Sequence, residues 1–538
     1  MTLKETYLPA LSGASRTATK KGNTIITEQM TFDGLCHRPY AGLTDMYDMK
    51  NLTPDAHALT VRPERKMIVT AFPEGGTPHG MCHHDGLVVA QGTSLYRVRD
   101  GEIVRLGDVS DTDKSFTSFG KKLIIMPDKL CYDAETGELI PMELDSGTFG
   151  GTVSGGHIIG SGNWESMGFH VGDGVRLEVG KINVTGYSGP EIAHCRITKF
   201  VGRGMYVDHE FTQSGQVNMR MVRECPDMTH VCACGERLVG CNGNAIYISE
   251  AGNPFNWCAT DPDGVASRDP ATVWTASPGE FKGCIPWEGY ALLFKEDHIC
   301  RLIGHGAGTY ALDDSPFAGV SDPRSLCRLN GDVYYLSAMG PFRYSGGEPT
   351  YIGEKIGVHL TAGCGGTDGR YYYLSANREG SSNCIYIWDP TQSCWYIEEN
   401  AGVAFMANVG DRLYFQTTWG AIMMEGNAYH PVRDGLSEIE TVGKIVATVT
   451  FGSDHVSLPA ARHLVGLCFA AEAAVDEIAN VYVSYDGGTW QTVGSMKGRG
   501  VRHTYRFNFA PQKCDEYRLR IDMIGDWRVS RIYRMYRE

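Results

Sequence analysis

Long apolar runs are missing from this chain. No stretch approaches the ~18 consecutive apolar residues that a spanning helix needs, so no membrane insertion is expected. The opening segment, MTLKETYLPALSGASRTATKKG, lacks an apolar run of signal-peptide length, so no secretory leader is expected either. Positive charge is also in deficit, with 49 Lys and Arg against 63 Asp and Glu, a formal net charge of -14. Proteins that grip nucleic acid usually carry a basic domain, because phosphate neutralisation supplies most of the affinity. The one basic stretch here is Arg528, Arg531, Arg534 and Arg537, which the sequence suggests is a solvated or subunit-facing edge. Helical patterning is confined to two short candidates, Pro459–Arg462 and Glu354–Leu360. A nucleophile elbow, a P-loop and a His-Glu-x-x-His zinc motif are all absent from the sequence. No motif singles out the converging carboxylate pair that a glycosidase needs.

Cysteine is not scarce, but its pattern argues against a disulfide framework. Seventeen is an odd number and the spacing is scattered. Cys284, Cys300, Cys327 and Cys468 sit in strand-like apolar runs, where a free thiol behaves as a small buried hydrophobe. Free thiols in a reducing cytoplasm are therefore expected.

Glycine and β-forming residues are abundant. The 66 glycines are about 12% of the 538 residues, against ~7% in ordinary proteins, and no G-X-Y period accompanies them. Short strands joined by tight turns follow from this composition. From about Gly80 a unit repeats: an alternating apolar strand, a Gly-centred turn, a second strand, a polar loop, and a third strand ending near Tyr or Trp. The turn glycines Gly86, Gly120, Gly235, Gly289, Gly331, Gly369 and Gly410 mark the register, and the last four are spaced by 42, 38 and 41 residues. That spacing is near the ~40–45 residues of one propeller blade, whose sheet must bury both faces against neighbours in a closed ring. The fold expected is an all-β propeller of six or seven blades.

The 115 residues from Gly120 to Gly235 exceed one blade. They hold about five further alternating segments, including Val175–Val179, His194–Phe200 and Gly204–Asp208. Residues 148–225 therefore read as a small β-barrel-like domain inserted in a propeller loop. The propeller occupies 61–147 and 226–437, and residues 1–60 read as an N-terminal arm that either closes the ring or reaches a neighbouring subunit. Long period-two strands over 438–538 indicate a C-terminal β-sandwich.

Candidate chemistry reduces mostly to turns and core. Ser484-Tyr485-Asp486-Gly487-Gly488-Thr489-Trp490 resembles the Asp-box of sialidase-type propellers but is one residue short, and Asp-Gly-Gly between strands already reads as a hairpin turn. His83-His84-Asp85 offers ligand types, yet adjacent strand residues face opposite ways. Cys225, Cys232, Cys234 and Cys241 form the densest thiol group without a matched CxxC pair, so zinc stays the lesser reading beside buried core. Asp261-Pro262-Asp263-Gly264 and Asp313-Asp314 could present oxygens to calcium but lack EF-hand length. Tyr371-Tyr372-Tyr373, Trp388 and Trp395 could stack on sugars, though alternating spacing places them in blade core or edge. No catalytic, cofactor-binding or metal-binding residue is assigned, and no cofactor is expected.

One run, HVCACGERLVGCNGNAIYISEAGNPFNW, resembles an element of tailed-bacteriophage structural proteins, in which an "RLWG"-like strand leads to "IYxSxxGxPxNW". The matching residues are Arg237-Leu238-Val239-Gly240, with Val239 where Trp is frequent, and Ile246 through Trp257. DMYDMKNLTPDAHALTVRPER is similar to a segment these proteins carry before the first blade, with Glu64-Arg65 replacing a glycine. LNGDVYYLSAMGPFRYSGGEPTYIG is similar to one of their blades. The resemblance covers about residues 30–435 and implies a virion tail component, a nozzle, hub or connector, present as a ring of copies and assembled in the host cytoplasm. It implies contacts with copies of itself and other tail proteins, with viral DNA passing the lumen unbound and no catalytic residues carried over. An acidic surface would suit such a passage, since like charge keeps DNA from sticking. Two other readings stay open: a carbohydrate- or receptor-binding tail protein with the sandwich as sugar module, and a glycoside hydrolase with two close carboxylates in the central channel.

Overall fold

The computed structural model describes residues 16–21, 24–55, 57–99, 101–160, 164–180, 190–258, 270–304, 306, 308–378, 384–399, 402–425, 444–456 and 462–537. Among them stand seven four-stranded antiparallel sheets, the blades of a β-propeller. The seven turn glycines read from the sequence mark them one by one. Each lies between the first and second strand of its blade with φ between 60° and 117°, a region that costs glycine nothing. The first six blades are sequential in the chain. The seventh takes its first three strands, Val403–Val409, Arg412–Thr417 and Ile422–Met424, from the end of the repeat and its outermost strand, Lys66–Val69, from before the first blade. The two ends of the repeat are thus hydrogen-bonded within one sheet, which closes the ring.

Burial explains why the second strands read as unbroken apolar runs. Leu87–Gln91 is buried at every position, and Tyr290–Phe294 at all but its first. Each blade is covered on both faces, and successive side chains of one strand serve opposite neighbours. Leu293 packs with Val239 and Ile246 of the third blade, whereas Leu292 and Phe294 pack with Val333, Tyr335 and Phe342 of the fifth. Ile124 and Ile125 divide in the same way between the third and first blades.

Between the second and third blades, six strands from Leu144–Ser154 to Gly215–Arg223 close into a barrel. Its interior holds Val175, Leu177, Ile197, Met219 and Met221. Among the described residues, the strands after the propeller belong to a β-sandwich of one seven-stranded and one six-stranded sheet, neither of which they complete alone.

The N-terminal segment departs from the arm expected over 1–60. It supplies Arg16–Lys21, Thr24–Gln29, Leu52–Thr53 and Leu59–Val61 to the larger sheet of the sandwich and Met46–Lys50 to the smaller. The polar look of this stretch is misleading. Met46, Met49, Leu52, Leu59 and Val61 are all buried, in a core shared with Phe451, Leu519 and Trp527 of the sandwich and Trp395 of the sixth blade. Of the helical candidates, Glu354–Leu360 contains one 3-10 turn, Glu354–Ile356, and 459–462 lies largely outside the described residues.

Candidate functional site: the junction of the barrel and the third blade

The run Ile246–Trp257 leaves the third strand of the third blade and turns beneath the inserted barrel. Its polar side chains do the docking. Glu250, buried, accepts from Arg196 Nη1 of the barrel at 2.7 Å and from Asn256 Nδ2 at 2.9 Å. Asn253 donates to the carbonyl of Gly172 at 3.4 Å. Asn256, wholly buried, lies so close to barrel residue Gly174 that a Cβ there would sit 2.0 Å from its Oδ1. Phe255 lies under the guanidinium of Arg223, 4.8 Å from its ring centroid.

Arg223 closes the last barrel strand and is completely buried. It donates to Asp173 Oδ2 at 2.8 Å and to the carbonyls of Pro141, Met142 and Gly168. Both ends of the insertion are thereby tied to one guanidinium. Removing one partner of such a pair leaves an uncompensated buried charge, a cost of about 3–5 kcal/mol. The barrel is docked, not tethered.

At the edge of this junction three side chains of metal-ligating type converge. His194 comes from the outer face of barrel strand Glu191–Val201, Glu224 from the residue after the last barrel strand, and Cys258 from the residue after Trp257. One ligand atom of each lies within 4.8 Å of the other two. Glu224 Oε2 accepts from the Cys258 thiol at 3.3 Å and lies 3.9 Å from His194 Nε2, while its Oε1 is held by Arg176, itself paired with Glu178. Burial first, and the Glu224 carboxylate next, push the thiol up to about 12. Burial also works to raise Glu224, but hydrogen bonds from Arg176 and Cys258 hold it below the ordinary carboxylate range. No local spacing marks these three residues, which are 30 and 34 positions apart on three segments.

The residues singled out in the sequence are dispersed. In the segment from Ser484 to Trp490, Asp486 and Gly487 take positive φ in a hairpin turn, and Asp486 Oδ1 accepts from the backbone of Asp515 and Glu516. His84 is buried against Ser118 and the Lys121 carbonyl while His83 is exposed, so they share no ligand. Cys232 and Cys241 belong to the interface of the third and fourth blades, and Cys225 to that of the second and third. All seventeen cysteines are free thiols. Asp313 pairs with Arg301 and Asp314 accepts from Thr275. Asp261-Pro262-Asp263-Gly264 lies outside the described residues. Tyr372, Tyr373, Trp388 and Trp395 are buried, and Tyr371 lines a cleft.

Of the C-terminal arginines, Arg534 is buried and Arg531 half-buried, while Arg528 and Arg537 are exposed, so the stripe is solvated at its ends and not along its length. Their strand, Arg528–Arg537, is central in the larger sandwich sheet, and the N-terminal segment supplies their partners: Asp55 for Arg528, Glu28 for Arg531, Gln29 for the buried Arg534.

Two acids do converge, Glu398 and Glu425, but on Arg65 and with almost no exposure. The cleft, of about 1060 Å³, lies where the fifth and sixth blades meet the sandwich and carries Arg62, Asp389, Glu477 and Arg528 beside Tyr371.

No protein-family model matches this chain, and no curated protein matches it. Among solved structures it is similar to a chain of a mitotic checkpoint complex, at 9% identity over 69% of this chain and 96% of that one, with a TM-score of 0.33. A family 43 arabinoxylan arabinofuranohydrolase from Bacillus subtilis is similar at 11% identity over 88% and 99%, with a TM-score of 0.22. An exo-β-1,3-galactanase from Phanerochaete chrysosporium gives 11%, 56% and 94%, with a TM-score of 0.20. Likeness this distant carries no argument about activity.

Proposed function

We propose that this protein is a structural component of a phage tail, part of an oligomeric ring through which DNA passes without specific binding. The observation that carries the reading is the docking of the barrel by the same run that carries the resemblance, from Glu250 to Trp257. A phage-like sequence element used as a fixed bracket supports a body whose job is to hold shape. The outside of the bracketed barrel presents Ile159, Val171, Ile192 and Val201 to solvent, side chains that are open to contact with other subunits. The reading is tested by the mass of the purified particle in native conditions. Discrete rings of several copies are expected, and a monodisperse monomer under all assembly conditions would overturn it.

A carbohydrate- or receptor-binding role is favoured by one observation, the polar cleft between blades and sandwich with Tyr371 in its wall. Such a mixture of charge and an aromatic face suits a glycan. Retention of host polysaccharide by the full chain would move the weight to this second reading.

A further inference from the structure

We propose that His194, Glu224 and Cys258 bind a zinc-class divalent ion that staples the inserted barrel to the third blade. The donor set is one imidazole nitrogen, one carboxylate oxygen and one sulfur, which suits zinc and its neighbours and not calcium or magnesium. Bond lengths of about 2.0–2.3 Å in a tetrahedral site place ligand atoms roughly 3.3–3.8 Å apart. The 3.3 Å from Cys258 Sγ to Glu224 Oε2 and the 3.9 Å from that oxygen to His194 Nε2 are near that spacing already. All three atoms lie within 4.8 Å, so small side-chain rotations complete the set.

The surroundings fit as well. Arg176 holds the far oxygen of Glu224 and aims the near one at the thiol and imidazole, the role an outer partner plays for a ligating carboxylate. Its charge is answered by Glu178 on the same strand. When the ion binds, the Cys258 S–H bond breaks, the sulfur keeps the electron pair as a ligand, and the proton leaves to solvent past the exposed His194 edge. Two anionic ligands then balance a divalent cation. Three protein ligands leave a fourth position for water. Because the ligands come from a barrel strand, the barrel's exit and the blade's docking loop, the ion would cross-link the two bodies.

The test uses the full chain. Cobalt(II) titrated into the metal-free protein is expected to give a thiolate-to-cobalt charge-transfer band, and zinc alone is expected to compete it away and raise the melting midpoint. His194→Gln, at an exposed position, and Cys258→Ser are each expected to weaken binding at least about tenfold, and Cys258→Ser to abolish the band. His455→Gln, at an exposed histidine of the sandwich, is expected to change nothing. Should Cys258→Ser fail to fold, His194→Gln with the band as readout decides alone. Absence of the band in the wild type, or zinc affinity unchanged in His194→Gln, would overturn the proposal.

Discussion

At the scale of single residues, two kinds of glycine must be told apart. Gly120 has φ +61° in an open turn, with nothing within 4 Å of a notional Cβ. Alanine there meets only backbone strain, about 1–2 kcal/mol. Gly174 has no such backbone demand, but a Cβ would sit 2.0 Å from Asn256 Oδ1 and 2.6 Å from its Cγ. Asn256 cannot retreat, since it is buried and donates to Glu250, which in turn holds Arg196. Gly174→Ala is therefore expected to unseat the barrel. Limited proteolysis should cut within 144–223 in this variant and not in Gly120→Ala, whose melting point falls by only a few degrees. The turn glycines were legible because one residue type at a fixed spacing reports one backbone conformation. Gly174 was not, because its reason is a neighbour 82 positions away.

At the scale of elements, the strand that closes the ring is fixed by charge as much as by its ladder. Arg65, immediately before Lys66–Val69, donates to Glu425 at 2.7 Å, to Glu398 at 3.0 Å and to the carbonyl of Glu399 at 3.1 Å. Burial, and then repulsion from Glu425, push the Glu398 carboxyl up to about 8, against the pull of Arg65 and Arg62. Unfolded, Glu398 titrates in the ordinary carboxylate range, so across the interval between the two values the folded chain holds the proton more tightly. The stability carried by protonated Glu398 is full below that interval and is lost as pH rises through it. Glu398→Gln keeps the neutral shape at every pH. Between about pH 5 and pH 9 the melting midpoint of the wild type is expected to fall relative to this variant, and parallel curves would contradict the assignment. Blade strands were readable from their apolar runs, but this seam joins residues 65, 398 and 425, and no local pattern announces it.

At the scale of the whole molecule, the chain's two ends form one domain. The C-terminal sandwich was legible in its long alternating strands, whereas the contribution of residues 16–61 to it was hidden by prolines and acids that interrupt short strands. The partners of the C-terminal arginines were hidden for the same reason. Arg528, Arg531 and Arg534 look like a stripe only while Asp55, Glu28 and Gln29, some 500 residues earlier, are out of view.

This architecture decides what truncation does. An arm resting on the surface could be removed with little effect. Here removal of residues 1–61 takes Met46, Met49, Leu52, Leu59 and Val61 from the core shared by sandwich and sixth blade. At about 1.5–3 kcal/mol for each side chain, the loss is on the order of 10 kcal/mol, as large as the stability of a typical domain. It also removes Asn51, whose side chain accepts from the backbone of Glu399 and donates to the carbonyl of Val446, joining sixth blade to sandwich. Among the described residues, removal of residues 1–21 instead takes away the edge strand Arg16–Lys21 alone and leaves Gln29 on Arg534. The longer truncation is expected to be insoluble or to melt without a cooperative transition. The shorter one is expected to keep a melting midpoint within a few degrees of the full chain by calorimetry. A soluble, cooperatively folded product from the longer truncation would mean that the N-terminal strands are dispensable, and the two ends would then have to be treated as separate units.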